Sequence, residues 1–411
     1  ERDRLRHQDS MDAAEALRFS DPASAAWGGR LPASRVGIRA TVRRDHVFDD
    51  AYEALAVRAR DLKARVQVTF VNEAGHEEAG IDGGGVFKEF LDACAKAAFT
   101  RDDLFDATDP DGALYPRATA SSSRSQHLKH IEFCGRVVSK ALYERVLIEP
   151  RFAEFFLNKA LGKSNYFDDL KTLDRALYAN LVKLKRLDAA DVDALGLTFA
   201  IAPITAGAAA AADNTTPHAA YPQDYSDVEL VPGGRDVRVT AANRRRYVQL
   251  VAHHRLNVEP AAASAAFLRG LRAAIPARWL RIFDPRELQT LVSGDERPID
   301  LDDWMRHTHY AGGFHPSQPY VRAFWDVVRG FDDATRAKLL RFVTSCSRPP
   351  LLGFARLRPL ICIHKVPRST DRLPTAGTCM NLLKLPEYDS AEMLRDRLLY
   401  AINEAHGFEL S

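Results

Sequence analysis

Apolar residues recur at helical spacing through much of residues 40–205. Three stripes of this kind are present: Phe87, Phe90, Leu91, Cys94 and Ala98; Leu128, Ile131, Gly135, Val138 and Leu142; and Phe152, Phe155 and Phe156. Residues three and four apart share one helix face, so each stripe predicts a helix with one buried side. Helices are also predicted at residues 48–63 and from 243 to 291. Alternating apolar and polar residues at 66–70 predict a short strand.

The last part of the chain, residues 298–411, has a pattern of its own. Helices are predicted at 321–328 and 334–342, and apolar strands at 360–363 and 382–385. Asp389 and Glu392 are spaced as a capping pair, which predicts the start of a final helix. Leu394, Leu398 and Ile402 form one face of that helix, and Gly407 is placed to end it.

A short polar segment separates these two patterns. It contains Ser293, Gly294, Asp295 and Glu296, and Pro298 follows, which predicts a hinge. The fold class expected is therefore α+β and bilobal: a large, mainly helical lobe with short strands at 41–292, a hinge at 293–297, and a small α/β lobe at 298–411. Residues 1–40 are interpreted as an N-terminal extension or the end of an upstream region, and the alanine-rich residues 206–221 as a surface loop.

Composition excludes several classes of protein. The 411 residues include 57 Lys+Arg and 55 Asp+Glu, so the formal charge of +2 gives nucleic acid little reason to bind. A hydrophobic fraction of 46% is too high for a mainly disordered chain. No uninterrupted apolar run of about 18 residues is present, so no membrane span is predicted. Because the sequence starts with Glu1 and lacks an early apolar segment, we expect no signal peptide and a fragment of a longer polypeptide.

Five cysteines supply the main candidate chemistry. They contain no Cys-x-x-Cys pair, which argues against a disulfide framework or zinc ribbon and predicts a reducing compartment, cytoplasmic and/or nuclear. Cys94 and Cys134 fall on apolar stripes and are interpreted as core. Cys346 and Cys379 fall in loops, and either could offer an accessible thiol. The loop around Cys379 is rich in Pro, Gly and Thr.

Other motifs have plainer interpretations. The Asp82-Gly-Gly-Gly85 turn could cradle a phosphate, but no Lys-Ser/Thr follows it, so it is interpreted as a turn and helix cap. The histidines lack ligands at metal-site spacing, and no metal or cofactor is expected. Arg244 to Arg246 are interpreted as a solvated helix face. A cysteine protease with Cys379, His364 and Asp371 or Asn381 stays open at this point, although no protease signature surrounds the cysteine.

Several long segments closely resemble HECT-type ubiquitin-protein ligases. They include Leu373-Pro-Thr-Ala-Gly-Thr-Cys-Met-Asn-Leu-Leu-Lys-Leu-Pro-Glu-Tyr388, Leu340-Arg-Phe-Val-Thr-Ser-Cys-Ser-Arg-Pro-Pro-Leu-Leu-Gly-Phe354, and the ending Gly407-Phe-Glu-Leu-Ser411. The larger lobe adds Ala79 to Phe90, Glu229 to Gly234 and Ile299 to Trp304. The resemblance covers residues 40–411 in order, and it implies the HECT domain's two lobes, a ubiquitin-conjugating enzyme and ubiquitin as partners, and an unknown protein substrate.

The resemblance also implies roles for individual residues. Cys379 would carry ubiquitin as a thioester before transfer to a substrate lysine, and Thr378 beside it is a further candidate catalytic residue. Phe408 matches a C-terminal phenylalanine that supports transfer, and Glu409 is a candidate base for the attacking lysine. A groove for the conjugating enzyme, in a subdomain near 150–205, aligns with Leu177, Leu181, Leu187 and Leu197, although each leucine could equally be a core residue.

This chain departs from the family pattern at three positions. Gly377 replaces a histidine that many members have two residues before the cysteine, so that histidine plays no part here. Met380 replaces a common phenylalanine, and Leu187 stands where the groove often has an aromatic residue. An inactive scaffold that binds ubiquitin or a conjugating enzyme is the alternative to an active transferase, although the presence of Cys379 and Phe408 argues against it.

Overall fold

The computed structural model describes residues 37–56, 62–72, 75–78, 85–108, 111–118, 124–202, 228–295, 297–350, 352–368 and 371–404. Several sequence predictions lie outside these ranges. They are the extension before residue 37, the cap at Asp82, the loop at 206–221, Glu296, Gly407, Phe408 and Glu409.

About half of the described residues up to Ser293 are helical. In chain order they are α1 (Val47–Ala56), α2 (Gly85–Phe99), α3 (Arg124–Glu144), α4 (Glu154–Ala160), α5 (Arg175–Leu184), α6 (Ala189–Ala194), α7 (Arg244–His253), α8 (Ala261–Leu271), α9 (Ala277–Leu280) and α10 (Pro285–Ser293). A 3-10 turn at Phe167–Thr172 precedes α5, and a π-helical turn at His254–Val258 extends α7. The first two apolar stripes fall on α2 and α3, as predicted. In the third, Phe155 and Phe156 lie on α4, but Phe152 precedes that helix and forms an isolated β-bridge with Leu114.

Short strands complete this part of the chain. They are β1 (Ile38–Arg43), β2 (Val66–Val71), β3 (Phe105–Ala107), β4 (Leu114–Pro116), β5 (Ala200–Ile201) and β6 (Val228–Glu229). β1 and β2 pair in parallel, with Ile38 opposite Val66, whereas β3 with β4 and β5 with β6 pair antiparallel.

The remainder of the chain surrounds one four-stranded sheet. Its helices are α11 (Leu301–Arg306), α12 (Pro319–Arg329), α13 (Asp333–Thr344) and α14 (Ala391–Glu404), and its strands are β7 (His309–Ala311), β8 (Cys362–Val366), β9 (Thr375–Gly377) and β10 (Leu382–Pro386). The strand order is β7-β8-β10-β9, in which β8 is parallel to both of its neighbours and β9 is antiparallel to β10. The expected α+β class is confirmed.

Buried apolar side chains form two clusters. One lies within residues 38–292 and the other within 304–402. We call the parts of the chain around them the larger lobe and the smaller lobe. The second cluster includes Trp304, whose ring stacks on Phe354 at 5.2 Å between centroids, and Trp325 against Trp304. Each lobe therefore has its own hydrophobic core.

Some predicted boundaries differ from those in the structure. Helix α1 is described only to Ala56, and Leu62 and Lys63, assigned to it from sequence, lie in a turn. The capping pair predicted for α14 is wrong, because Ser390 caps that helix: its Oγ accepts from the Met393 N–H at 3.1 Å. Asp389 instead forms an ion pair with Arg368.

Candidate active site

Cys379 is the middle residue of a 3-10 turn, Thr378–Met380, that joins β9 to β10. We call Thr378–Met380 the cysteine turn. Leu382 pairs with Gly377 across the two strands, so the turn is fixed at both ends by the sheet. It ends at Asn381, whose φ of 49° lies in the left-handed region that asparagine tolerates better than most residues. Thr378 is half-buried and Met380 is exposed.

Asn381 anchors the cysteine turn from inside the smaller lobe. It is fully buried, its backbone N–H donates to the Thr378 carbonyl at 3.3 Å, and its carbonyl accepts from the Cys362 N–H at 2.9 Å. Its side-chain Nδ2 donates to the carbonyl of Pro359 at 2.6 Å. A buried amide with satisfied hydrogen bonds fixes local geometry, so the backbone next to Cys379 is held in one conformation.

The larger lobe also contacts the cysteine turn. Helix α2 packs against it, and Nζ of Lys88 donates to the Thr378 carbonyl at 3.1 Å and to Oδ1 of Asn381. Lys88 is half-buried in this contact. A lysine 290 residues away in sequence therefore bonds the residue immediately before Cys379, and no pattern in the sequence indicated that contact.

The four cysteines outside the cysteine turn lie in surroundings that raise the pKa of the thiol. Burial raises the pKa of both Cys94 and Cys346 to about 12 and holds that of Cys134 well above its usual value. Burial also raises the pKa of half-buried Cys362. The thiolate is the reactive form, so these sites suppress reactivity. The alternative that Cys346 offers an accessible thiol is wrong: it is 3% exposed and donates to the Ser293 carbonyl at 3.5 Å.

The segment predicted as a hinge is closely packed where the structure describes it. Ser293 is the buried last residue of α10, and its Oγ accepts from Arg348 at 2.8 Å. Gly294 has φ 88°, and a Cβ there would lie 2.8 Å from the carbonyl oxygen of Pro349. The Asp295 N–H donates to that carbonyl at 2.9 Å. The predicted hinge thus begins inside a helix end that the smaller lobe contacts.

The four leucines aligned with the conjugating-enzyme groove divide into two kinds. Leu177, Leu187 and Leu197 are half-buried and lie at the edge of the core, whereas Leu181 is 5% exposed and lies within it. The burial of Leu181 favours a packing role for that residue. Arg244 of α7 donates to the Leu187 carbonyl, so this member of the arginine triplet holds the loop rather than facing solvent.

Two exposed hydrophobic residues lie in the same stretch of sequence as these leucines, and the sequence did not indicate them as site residues. Tyr166 is 73% exposed at the start of the 3-10 turn before α5, and Leu195 is 51% exposed at the end of α6. Tyr166 precedes Phe167, and Leu195 lies between Ala194 and Gly196, so no local pattern distinguished them from core residues. Large exposed apolar side chains are candidates for a binding surface when they lie in one patch.

No support for metal or protease chemistry comes from the described residues. They contain no cluster of three His, Cys, Asp or Glu side chains suited to a metal ion. In a cysteine protease a third group orients the histidine. Among the described residues, the buried Nδ1 atom of His364 has no such hydrogen-bond partner. Asn381, a candidate for that third group, binds Pro359 and Lys88.

The sheet of the smaller lobe and Asn381 thus hold the backbone at the candidate nucleophile Cys379, and Lys88 of the larger lobe contacts the same turn. Comparison with known proteins gives the class of this domain. The family model of the HECT-domain (ubiquitin-transferase) matches residues 92–411. The chain therefore belongs to the HECT-domain family of ubiquitin transferases.

Curated relatives agree with this assignment. The chain is 43% identical over 380 residues to E3 ubiquitin-protein ligase UPL6 of Arabidopsis thaliana, covering 91% of this chain and 35% of that protein. It is 39% identical over 407 residues to human ubiquitin-protein ligase E3B, covering 90% and 36%, and 39% identical over 389 residues to E3 ubiquitin-protein ligase HUL5 of Saccharomyces cerevisiae, covering 92% and 40%. The chain thus spans little more than a third of each. Among the helices in the described ranges, none is long and apolar enough to cross a bilayer.

Proposed function

We propose that this chain transfers ubiquitin through a thioester on Cys379. The Cys379 thiolate attacks the carbonyl carbon of the thioester between ubiquitin and a conjugating enzyme, a new C–S bond forms, and the conjugating enzyme's cysteine leaves as a thiolate. A substrate lysine amine then attacks the new thioester, the isopeptide C–N bond forms, and the Cys379 thiolate leaves. The amine's proton passes to a base, for which Glu409 is the candidate.

The observation that carries this proposal is the position of Cys379 in a turn held by Asn381, within a domain of the HECT family. Transfer of an acyl group from one thiol to another is close to thermoneutral. The first step therefore needs correct placement more than a strong base. Phe408 would support the second step. The lobes, divided at residues 293–297, would change their relative position between the two steps.

Partners and location follow from the same proposal. The conjugating enzyme would bind the half-exposed Leu177, Leu187 and Leu197 together with Tyr166 and Leu195, which present apolar surface on one subdomain. A cytoplasmic and/or nuclear location is supported by Cys94, Cys134, Cys346 and Cys362, which are all free thiols.

A thioester trap tests the proposal. The chain is incubated with activating enzyme, conjugating enzymes, ubiquitin and ATP, and analysed on a gel without reductant. We expect an adduct one ubiquitin heavier that thiol removes and Cys379→Ala abolishes. Cys362→Ala is the matched control, because it removes a half-buried thiol from the adjacent strand, and its adduct should persist. An adduct that survives Cys379→Ala would refute Cys379 as the nucleophile. Binding of a conjugating enzyme without any adduct would favour the scaffold alternative.

A further inference from the structure

Lys88 brings a positive charge to the backbone of the cysteine turn from the opposite lobe. Its Nζ donates to the carbonyl of Thr378 and to the side chain of Asn381, the residues that enclose Cys379 and Met380. Both acceptors belong to the smaller lobe, whereas Lys88 lies on α2 of the larger lobe. The contact therefore exists only while the two lobes are docked as they are in this structure.

In this docked arrangement the cysteine turn packs on α2, whereas the proposed conjugating-enzyme surface includes Leu177 of α5. Contacts between described elements connect α2 to α5 through α3, α8, α4 and the 3-10 turn at Phe167–Thr172. The turn at Cys379 packs on α2, at one end of that series, and Leu177 lies on α5 at the other. We therefore expect loading from a conjugating enzyme on the leucine surface to use a different lobe arrangement, in which the smaller lobe has left Lys88.

We propose that Lys88 is a positioning residue for the second step, the discharge of ubiquitin from Cys379 to an acceptor lysine. In that step the cysteine leaves as a thiolate, and negative charge develops on the residue that follows Thr378. A fixed positive charge next to the turn stabilises that developing charge and holds the backbone in place. Loading takes place with the lobes rearranged, so it does not use Lys88. This inference rests on the thioester function proposed above.

Separate measurement of the two steps tests the inference. In the wild-type chain, thioester formation is timed in single turnover, and the purified thioester is then discharged to free lysine. For Lys88→Met we expect loading within about twofold of wild type and discharge slower by about tenfold. Lys88→Arg, which keeps the charge and donors, should restore most of the discharge rate, and Lys88→Gln, which keeps donors without charge, should not.

Lys96→Met is the matched control. Lys96 lies two turns further along α2 and pairs with Asp92 at 2.9 Å, so its removal should leave discharge unchanged. Normal discharge in a folded Lys88→Met chain, or equal slowing of loading and discharge, would overturn the inference. Failure of the wild-type chain to form a thioester would instead refute the proposed function, so the two failures are distinguishable.

Discussion

Gly135 of α3 and Gly270 of α8 lie opposite each other where the two helices cross. A Cβ atom on Gly135 would overlap the Phe267 carbonyl and lie 2.9 Å from the Leu271 nitrogen, and a Cβ atom on Gly270 would overlap the Glu132 carbonyl. The backbones therefore touch, and the larger core is built around this crossing. Neither glycine is needed for its φ angle; both are needed for space.

Gly135→Ala should therefore destabilise the chain by about 3 kcal/mol or more, because backbone atoms have no rotamer by which to yield. The measurement is the free energy of unfolding from a urea titration. Gly330→Ala is the control, since Gly330 ends α12 with φ −75° and its Cβ would meet its nearest neighbour at 3.3 Å. A Gly135→Ala chain as stable as the Gly330→Ala chain would show that the helices can separate without cost.

The cysteines should differ sharply in alkylation by iodoacetamide at pH 7.5. Burial raises the pKa of Cys94, Cys134 and Cys346, so their peptides should stay unlabelled in the native chain, while Cys362 should react slowly. We expect Cys379 to react first, as its proposed role requires. Peptide mass spectrometry measures each site, and denaturation should make all five react. Native labelling of Cys346 at the rate of Cys379 would contradict this ranking.

The sequence predicted some of these features and not others. The spacing of apolar residues, close to 3.6 residues per turn, correctly predicted the buried faces of α2 and α3, because the hydrophobic effect buries a whole helix face. The accessible thiol expected at Cys346 is wrong because Pro349 and Pro350 indicate a loop without indicating whether it is buried, and Cys346 is buried and bonded to the Ser293 carbonyl. The bond from Lys88 to Asn381 links residues 293 apart between two lobes, and no local periodicity encodes such a contact.

Lys159 should reduce stability at neutral pH. Burial on α4 lowers the pKa of its ammonium to about 8, so the charged form is less favourable in the folded chain than in the unfolded one. Lys159→Met should raise the free energy of unfolding at pH 7 by about 1 to 2 kcal/mol, after a reduction for partial solvent screening.

The lowered pKa of Lys159 also determines how its effect on the free energy of unfolding changes with pH. The folded pKa lies below the unfolded one, so the penalty in the wild-type chain is full below about pH 8 and disappears as pH rises towards 10.5. The stability difference between wild type and Lys159→Met should shrink across that interval in urea titrations. Lys163→Met, at an exposed position just beyond α4, is the control for the loss of a lysine from this part of the chain. A difference that stays constant with pH would contradict the assignment.

Leu195→Asp should impair loading without affecting stability. The Leu195 side chain is 51% exposed at the end of α6, so a carboxylate there costs the fold little, but it would be desolvated under a bound conjugating enzyme. We expect thioester formation to slow by about tenfold at limiting conjugating enzyme, and the discharge rate of the preformed thioester to stay unchanged. Leu352→Asp, at a 72% exposed position on the smaller lobe, is the matched control and should load normally. Equal loading by both variants would place the conjugating enzyme elsewhere, whereas slower loading in Leu195→Asp with normal discharge would assign this surface to the first step alone.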